Sequence, residues 1–188
     1  MSDAANIEAL GPLAPLAGVW EGDKGLDISP SETRGVMETP YRERFVLEPM
    51  GAVDNHEQVL QALRYSTTAF RLGEDDAFHE ELGYWLWDAD AGQVMRCFLV
   101  PRGVTILAGG DAKPTDRSFS LSAQVGSETY GIASNPFLDR EFKTVRYELT
   151  LSIEGTDSFR YEEDTQLLLK GRSDVFHHRD SNTLQRVG

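Results

Sequence analysis

Val145-Arg-Tyr-Glu-Leu-Thr-Leu-Ser-Ile153 alternates without a break. Val145, Tyr147, Leu149, Leu151 and Ile153 are apolar, and Arg146, Glu148, Thr150 and Ser152 between them are polar. A period of two places the two sets on opposite faces of an extended strand, one face buried and one wet. The same alternation runs outward in both directions. Upstream, Phe119, Leu121, Ala123 and Val125 alternate with Ser120, Ser122 and Gln124. Downstream, Phe159, Tyr161, Thr165, Leu167 and Leu169 keep an odd-numbered apolar phase that Glu163 interrupts. Less regular strands read at 17–28, 41–49, 57–70, 79–88, 92–100 and 103–109, and a last one at 174–187. Together they make about ten strands.

The connections are short. Asp88-Ala-Asp-Ala-Gly92, Pro101-Arg-Gly103 and Glu154-Gly-Thr-Asp157 are turn sequences, and short turns join antiparallel neighbours. A meander of this length must bury one face and lose its edges. Closure into an all-β, ten-stranded, antiparallel up-and-down barrel does both, with a sandwich as the alternative. Two segments depart from the pattern. Residues 5–16 read as a short helix with a proline-kinked lead-in that can plug one end. Residues 134–142 read as a helical turn, with Asn135 or Ser134 as N-cap and Pro136 at the first helical position.

The chain has 188 residues, the size of one domain. It is read as a single barrel over 1–188, with 1–16 as its lead-in. Its net charge of −13 repels phosphate backbones and anionic lipids, so neither nucleic acid nor a membrane surface is expected as a partner. It has no apolar run of transmembrane length, and the N-terminus lacks a basic and apolar leader. With the single cysteine Cys97 it can form no internal disulfide. A reducing cytoplasm is the expected compartment.

No phosphate loop, nucleophile elbow, HExxH or paired CxxC is present. Cys97 reads as a buried, inert thiol, and Glu74-Asp75-Asp76 and Glu162-Glu163-Asp164 read as solvated charges. Four histidines remain. His56 lies in a turn and His79 opens a strand. His177 and His178 are adjacent on the last strand, so one faces inward and the other outward. Parity leaves the choice between them open. A barrel of about ten strands is too wide for its own side chains to fill. It should therefore hold an apolar ligand, and an inward histidine there suits haem iron.

Four stretches resemble the nitrobindin family of haem-binding β-barrels, which share a lipocalin-like, fatty-acid-binding-protein-like fold. They are Leu16-Ala-Gly-Val-Trp20-Glu-Gly22-Asp-Lys-Gly25, His79-Glu-Glu-Leu-Gly83-Tyr-Trp85, Pro101-Arg-Gly103-Val104 and the terminal strand Phe176–Val187. The resemblance implies a ten-stranded barrel with one b-type haem near the mouth. The iron would be ferric and five-coordinate, with nitric oxide binding and peroxynitrite-to-nitrate isomerisation as its chemistry. It points to His178 as the axial ligand, with His177 as the alternative. His79, Trp20 and Trp85 are further cofactor-binding candidates, and Asp180 could orient His178. The chain departs from the family in places, as a divergent bacterial branch would. His178 lies six residues before Leu184 rather than five, Arg179–Thr183 is polar, and the segments 29–40 and 126–143 are long. The reading from a different class is a non-enzymatic, lipocalin-like carrier of a small hydrophobic ligand without haem. A homodimer through the strand near 92–100 is also open to such a barrel.

Overall fold

The structure is a computed structural model that describes residues 6–188; residues 1–5, which include the first residue of the expected helix, lie outside the described residues. Among the described residues eleven strands form one closed barrel. They are β1 (Gly18–Pro30), β2 (Val36–Asp54), β3 (Val59–Arg71), β4 (Ala77–Asp88), β5 (Gln93–Val100), β6 (Val104–Asp111), β7 (Ser118–Val125), β8 (Gly131–Ser134), β9 (Phe142–Ile153), β10 (Ser158–Leu169) and β11 (Val175–Arg186). Around the barrel the order is β1-β11-β10-β9-β7-β8-β6-β5-β4-β3-β2, and β2 closes on β1.

The strand count corrects the expected ten. The additional strand, β8, is four residues long and lies inside the long segment 126–143. β6 and β7 pair directly at Gly109 and Ser122. Towards Val104 they splay, and β8 fills the gap, antiparallel to β6 and parallel to β7. The chain then enters the helical turn α1 (Pro136–Glu141), where the Asn135 side chain accepts from the amides of Phe137 and Leu138. Pro136, which has no N–H to satisfy, takes the first helical position.

The founding strand also differs in one detail. Its register against β10 slips between Gln166 and Leu167. A bulge exchanges faces for everything beyond it, so Thr144 rather than Val145 turns inward. From Tyr147 to Ile153 the odd residues are buried, as the alternation requires.

The lead-in is a 3₁₀ helix, Ile7–Leu16, that contacts β3 and β4 and closes one end of the barrel. Leu10, Leu13 and Leu16 join the core with Trp20, Leu63, Trp87, Val94, Phe159 and Leu184. Gly11 sits at φ 55°, and a Cβ there would lie 2.6 Å from the Trp87 indole nitrogen. Only glycine allows this turn to press against that ring. Arg186 of β11 latches the plug by donating to the carbonyls of Ala17 and Pro15, with its guanidinium 4.1 Å above the Trp20 ring. Among the described residues no helix is long and apolar enough to cross a membrane.

Candidate functional site

A cavity of about 780 Å³ occupies the half of the barrel opposite the plug. Its lining reaches Ser29–Glu32, Arg71, Phe78, Arg102, Leu138 and Phe142, so the turns after β1, β3 and β5 and the helical turn α1 form the mouth. Its depth reaches Phe45, Trp85, Leu151 and Phe159. Phe98, Val100, Val104, Ile106, Leu138 and Leu167 supply an apolar wall.

On β11 the even residues face inward: Phe176, Asn182 and Leu184 are buried, and His178 and Asp180 line the cavity. This settles what parity left open. His178 is half-buried at the wall, whereas His177 is exposed on the outer face, its Nδ1 2.7 Å from Asp164. His178 Nε2 donates to Oδ1 of buried Asp27 at 2.8 Å and lies 3.4 Å from Asp180. Asp27 is itself held, because Ser29 Oγ donates to its other oxygen at 2.8 Å. No described residue hydrogen-bonds to the second ring nitrogen of His178. Burial alone would lower the His178 pKa, but the Asp27 hydrogen bond and the charges of Asp180 and Asp27 outweigh it, and the net direction is up. Asp180 is pushed up by burial and by Glu163 and Asp27, against the pull of His178. Asp27, His178 and Asp180 bring one donor atom each within 4.8 Å of one another.

His79 lines the same cavity from β4, with Nε2 3.1 Å from Glu81 Oε1. Burial would lower its pKa, but the bond to Glu81 and that residue's charge raise it to about 9. Trp85 lines the cavity floor. Trp20 does not line the cavity. Its indole donates to Leu16 O at 2.8 Å and packs edge-on against Phe159 at the closed end. Of the six residues singled out from the sequence, the cavity brings together His178, His79, Trp85 and Asp180, but Asp27 rather than Asp180 makes the hydrogen bond to His178.

Several charged residues of the lining were not singled out from the sequence, Asp27 among them. Arg96 on β5 is buried below the apolar wall, and its guanidinium donates to Glu81 at 2.5 Å, Glu163 at 2.8 Å and Tyr65 at 2.6 Å, and also to Tyr147. Burial would raise Glu81, but Arg96 and His79 outweigh it and hold its pKa at about 2. Glu43 accepts from Tyr161 at 2.9 Å and Asn182 at 2.8 Å, and Tyr41 meets Tyr161 at 2.7 Å. Burial pushes Glu43 up to about 7 in spite of those donors. Arg96, between Val94 and Phe98, and Glu43, between Tyr41 and Phe45, occupy inward positions among apolar neighbours, and that was the available signal; Glu81, between His79 and Gly83, carried none. Glu163 was the interruption in the odd phase of β10. It belongs to the cavity wall, while Glu162 and Asp164 on either side have the opposite parity. Cys97 likewise is not buried: Val94, Arg96 and Phe98 take the inward positions of β5, and its thiol lies on the outer face.

The comparisons with known proteins agree with this architecture. The crystal structure of Rv2717c from M. tuberculosis superposes with a TM-score of 0.69, at 22% identity, covering 99% of this chain and 100% of that one. At that identity the likeness is one of fold. No curated protein matches the chain. The family model described as "THAP4-like, heme-binding beta-barrel domain" matches residues 9–186, nearly the entire barrel and its plug. The chain therefore belongs to the THAP4-like, haem-binding β-barrel domain family.

Proposed function

We propose that the barrel binds b-type haem through His178. The observation that carries this reading is the state of that imidazole. It lines a large, part-apolar cavity, one ring nitrogen is anchored to a buried carboxylate, and the other has no partner among the described residues. A metal-ligating histidine is typically built this way, with the outer partner fixing tautomer and ring plane. The donor set thus fits the cofactor that names the family. Asp27 orients His178, and Ser29 orients Asp27. Phe98, Val100, Ile106 and Leu138 exclude water from the wall. Arg71 and Arg102 stand at the mouth, where a carboxylate-bearing edge would meet cations. Haem, when bound, would supply a ferric centre for nitric oxide binding and for isomerising peroxynitrite to nitrate. No side chain is required as acid or base for that rearrangement.

The test is a haemin titration followed in the visible spectrum. His178→Ala should lose the sharpened Soret band, His177→Ala should keep it, and Asp27→Asn should weaken haem affinity about 10- to 100-fold. Identical spectra for wild type and His178→Ala would remove His178 from the role. One observation favours the second reading, a carrier of a small hydrophobic ligand without haem. The cavity continues below His178 to Phe45, Leu151 and Phe159, more depth than a ligand at the rim uses. Free-haemin spectra in all variants, with displacement of an apolar fluorescent probe, would decide for it. A homodimer would use the outer face of β4–β6, where Leu82, Leu99 and Leu107 are exposed; a monomeric mass by light scattering would exclude it.

A further inference from the structure

The β1–β11 ladder sets two carboxylates directly opposite each other. Asp27 pairs with Asp180, and Asp180 pairs in turn with Glu163 on β10. All three line the cavity. Like charges opposed across a sheet are destabilising unless a cation stands between them. For Glu163 that cation is Arg96. Among the described residues no Lys or Arg forms an ion pair with Asp27 or Asp180, and each of the two pairs only with His178.

The geometry at His178 is that of a ligand set. Two residues before Asp180, it shares that residue's face of β11. Its Nε2 lies 2.8 Å from Asp27 Oδ1 and 3.4 Å from Asp180 Oδ2, and one donor atom from each of the three lies within 4.8 Å of the other two. Donors bound to one tetrahedral ion at about 2 Å stand roughly 3.3 Å apart, so small side-chain movements close these three onto a common ion. Ser29 holds the second oxygen of Asp27, which leaves Oδ1 to the site. No described residue donates a hydrogen bond to Asp180, because the Nε2 proton of His178 goes to Asp27. The side chains of His178 and Asp180 are 30% and 24% exposed and both line the cavity, so an ion can reach them.

The donor chemistry names the class of ion. Two carboxylates and a neutral imidazole carry two negative charges, which a divalent cation cancels. Mg²⁺ and Ca²⁺ take oxygen ligands, whereas an imidazole nitrogen beside carboxylates suits Zn²⁺ and its first-row neighbours. Three protein ligands leave a coordination position for water or substrate, the pattern of catalytic rather than structural zinc. We propose that Asp27, His178 and Asp180 bind a divalent first-row transition-metal ion, Zn²⁺ or Co²⁺, with its open position facing the cavity. The haem reading uses the other ring nitrogen of His178, so this site goes beyond that reading and does not rest on it. A neutral imidazole has one lone-pair nitrogen to give, so the chain holds one metal or the other at a time.

The experiment titrates the purified 188-residue chain, without haemin, with Zn²⁺ by calorimetry and with Co²⁺ in the visible spectrum. The wild type should bind one Zn²⁺ per chain, and excess Mg²⁺ should not displace it. Co²⁺ should give d–d bands that Zn²⁺ abolishes. These readings need only the wild type. Asp180→Asn should weaken Zn²⁺ binding more than about tenfold, the least that losing an outer partner costs a metal site, and its urea midpoint checks that it is folded. His177→Ala should bind Zn²⁺ as the wild type does. A wild type that binds no Zn²⁺, displacement by Mg²⁺, or unchanged affinity in Asp180→Asn would overturn the proposal. Loss of binding in His177→Ala would overturn it too, by placing the ion on the outer face with Asp164. Zn²⁺ binding without a haemin Soret band would remove the haem reading and leave this one, and a Soret band without Zn²⁺ binding would do the reverse.

Discussion

Glu43 shows what it costs to keep polar chemistry inside an apolar wall. It is buried beside Tyr161 and Asn182, and its pKa rises from 4.5 to about 7. The folded chain then holds a proton that the unfolded chain has released, so between those two pH values stability falls as pH rises, by about 3 kcal/mol if Glu43 acts alone. Glu43→Gln has no such proton to lose. In urea titrations at pH 5 and pH 8 the variant should gain on the wild type as pH increases; parallel profiles would refute the assignment. At this scale the sequence was legible in part. Strand parity on β11 meant that only one of His177 and His178 could face the cavity, but the choice depended on the register of β11 against its neighbours, which no local pattern contains. Arg96, between inward Val94 and Phe98, carried a readable signal, a charge in an apolar phase. Glu163 carried the same signal, masked because Glu162 and Asp164 made it look like part of a solvated run.

The elements were readable where their period was long enough to repeat. β9 and β10 each show several cycles of alternation, and they form as expected. β8 has four residues and barely one cycle, and only the gap between β6 and β7 makes it a strand. The bulge at Val145 was equally invisible, because apolar Val145 fits the alternation better than Thr144, the residue that turns inward. The plug was legible from Pro12 and Pro15, which break a regular helix, and from the leucines between and around them. Its seating depends on Gly11, whose backbone lies at φ 55° against Trp87. Gly11→Ala should destabilise the protein by about 1–3 kcal/mol through backbone strain, before any clash with the ring is added. The midpoint of urea unfolding measures it, and a wild-type midpoint would mean that the plug is not packed as described.

At the scale of the whole molecule, closure does two things. It removes every strand edge, and it leaves a space that the barrel's own side chains do not fill. The net charge of −13 that made nucleic acid an unexpected partner extends to the inside of the wall, where Asp27, Glu43, Glu81, Glu163 and Asp180 all line the cavity. The sequence reading allowed for a cavity but not for its two zones, an apolar collar near the mouth and a polar belt beneath it, because the belt is assembled from β2, β4, β5 and β10, far apart in the chain.

Leu10, Leu13 and Leu16 shut one end of the barrel, and the consequence is one of timing. A vessel with a single opening empties in the reverse of the order in which it fills. A molecule that enters by the mouth and rests on the floor at Trp85 passes the wall that carries His178 in both directions. Whatever occupies His178 therefore sets the residence time of anything beneath it, even where the two never touch and neither alters the other's affinity.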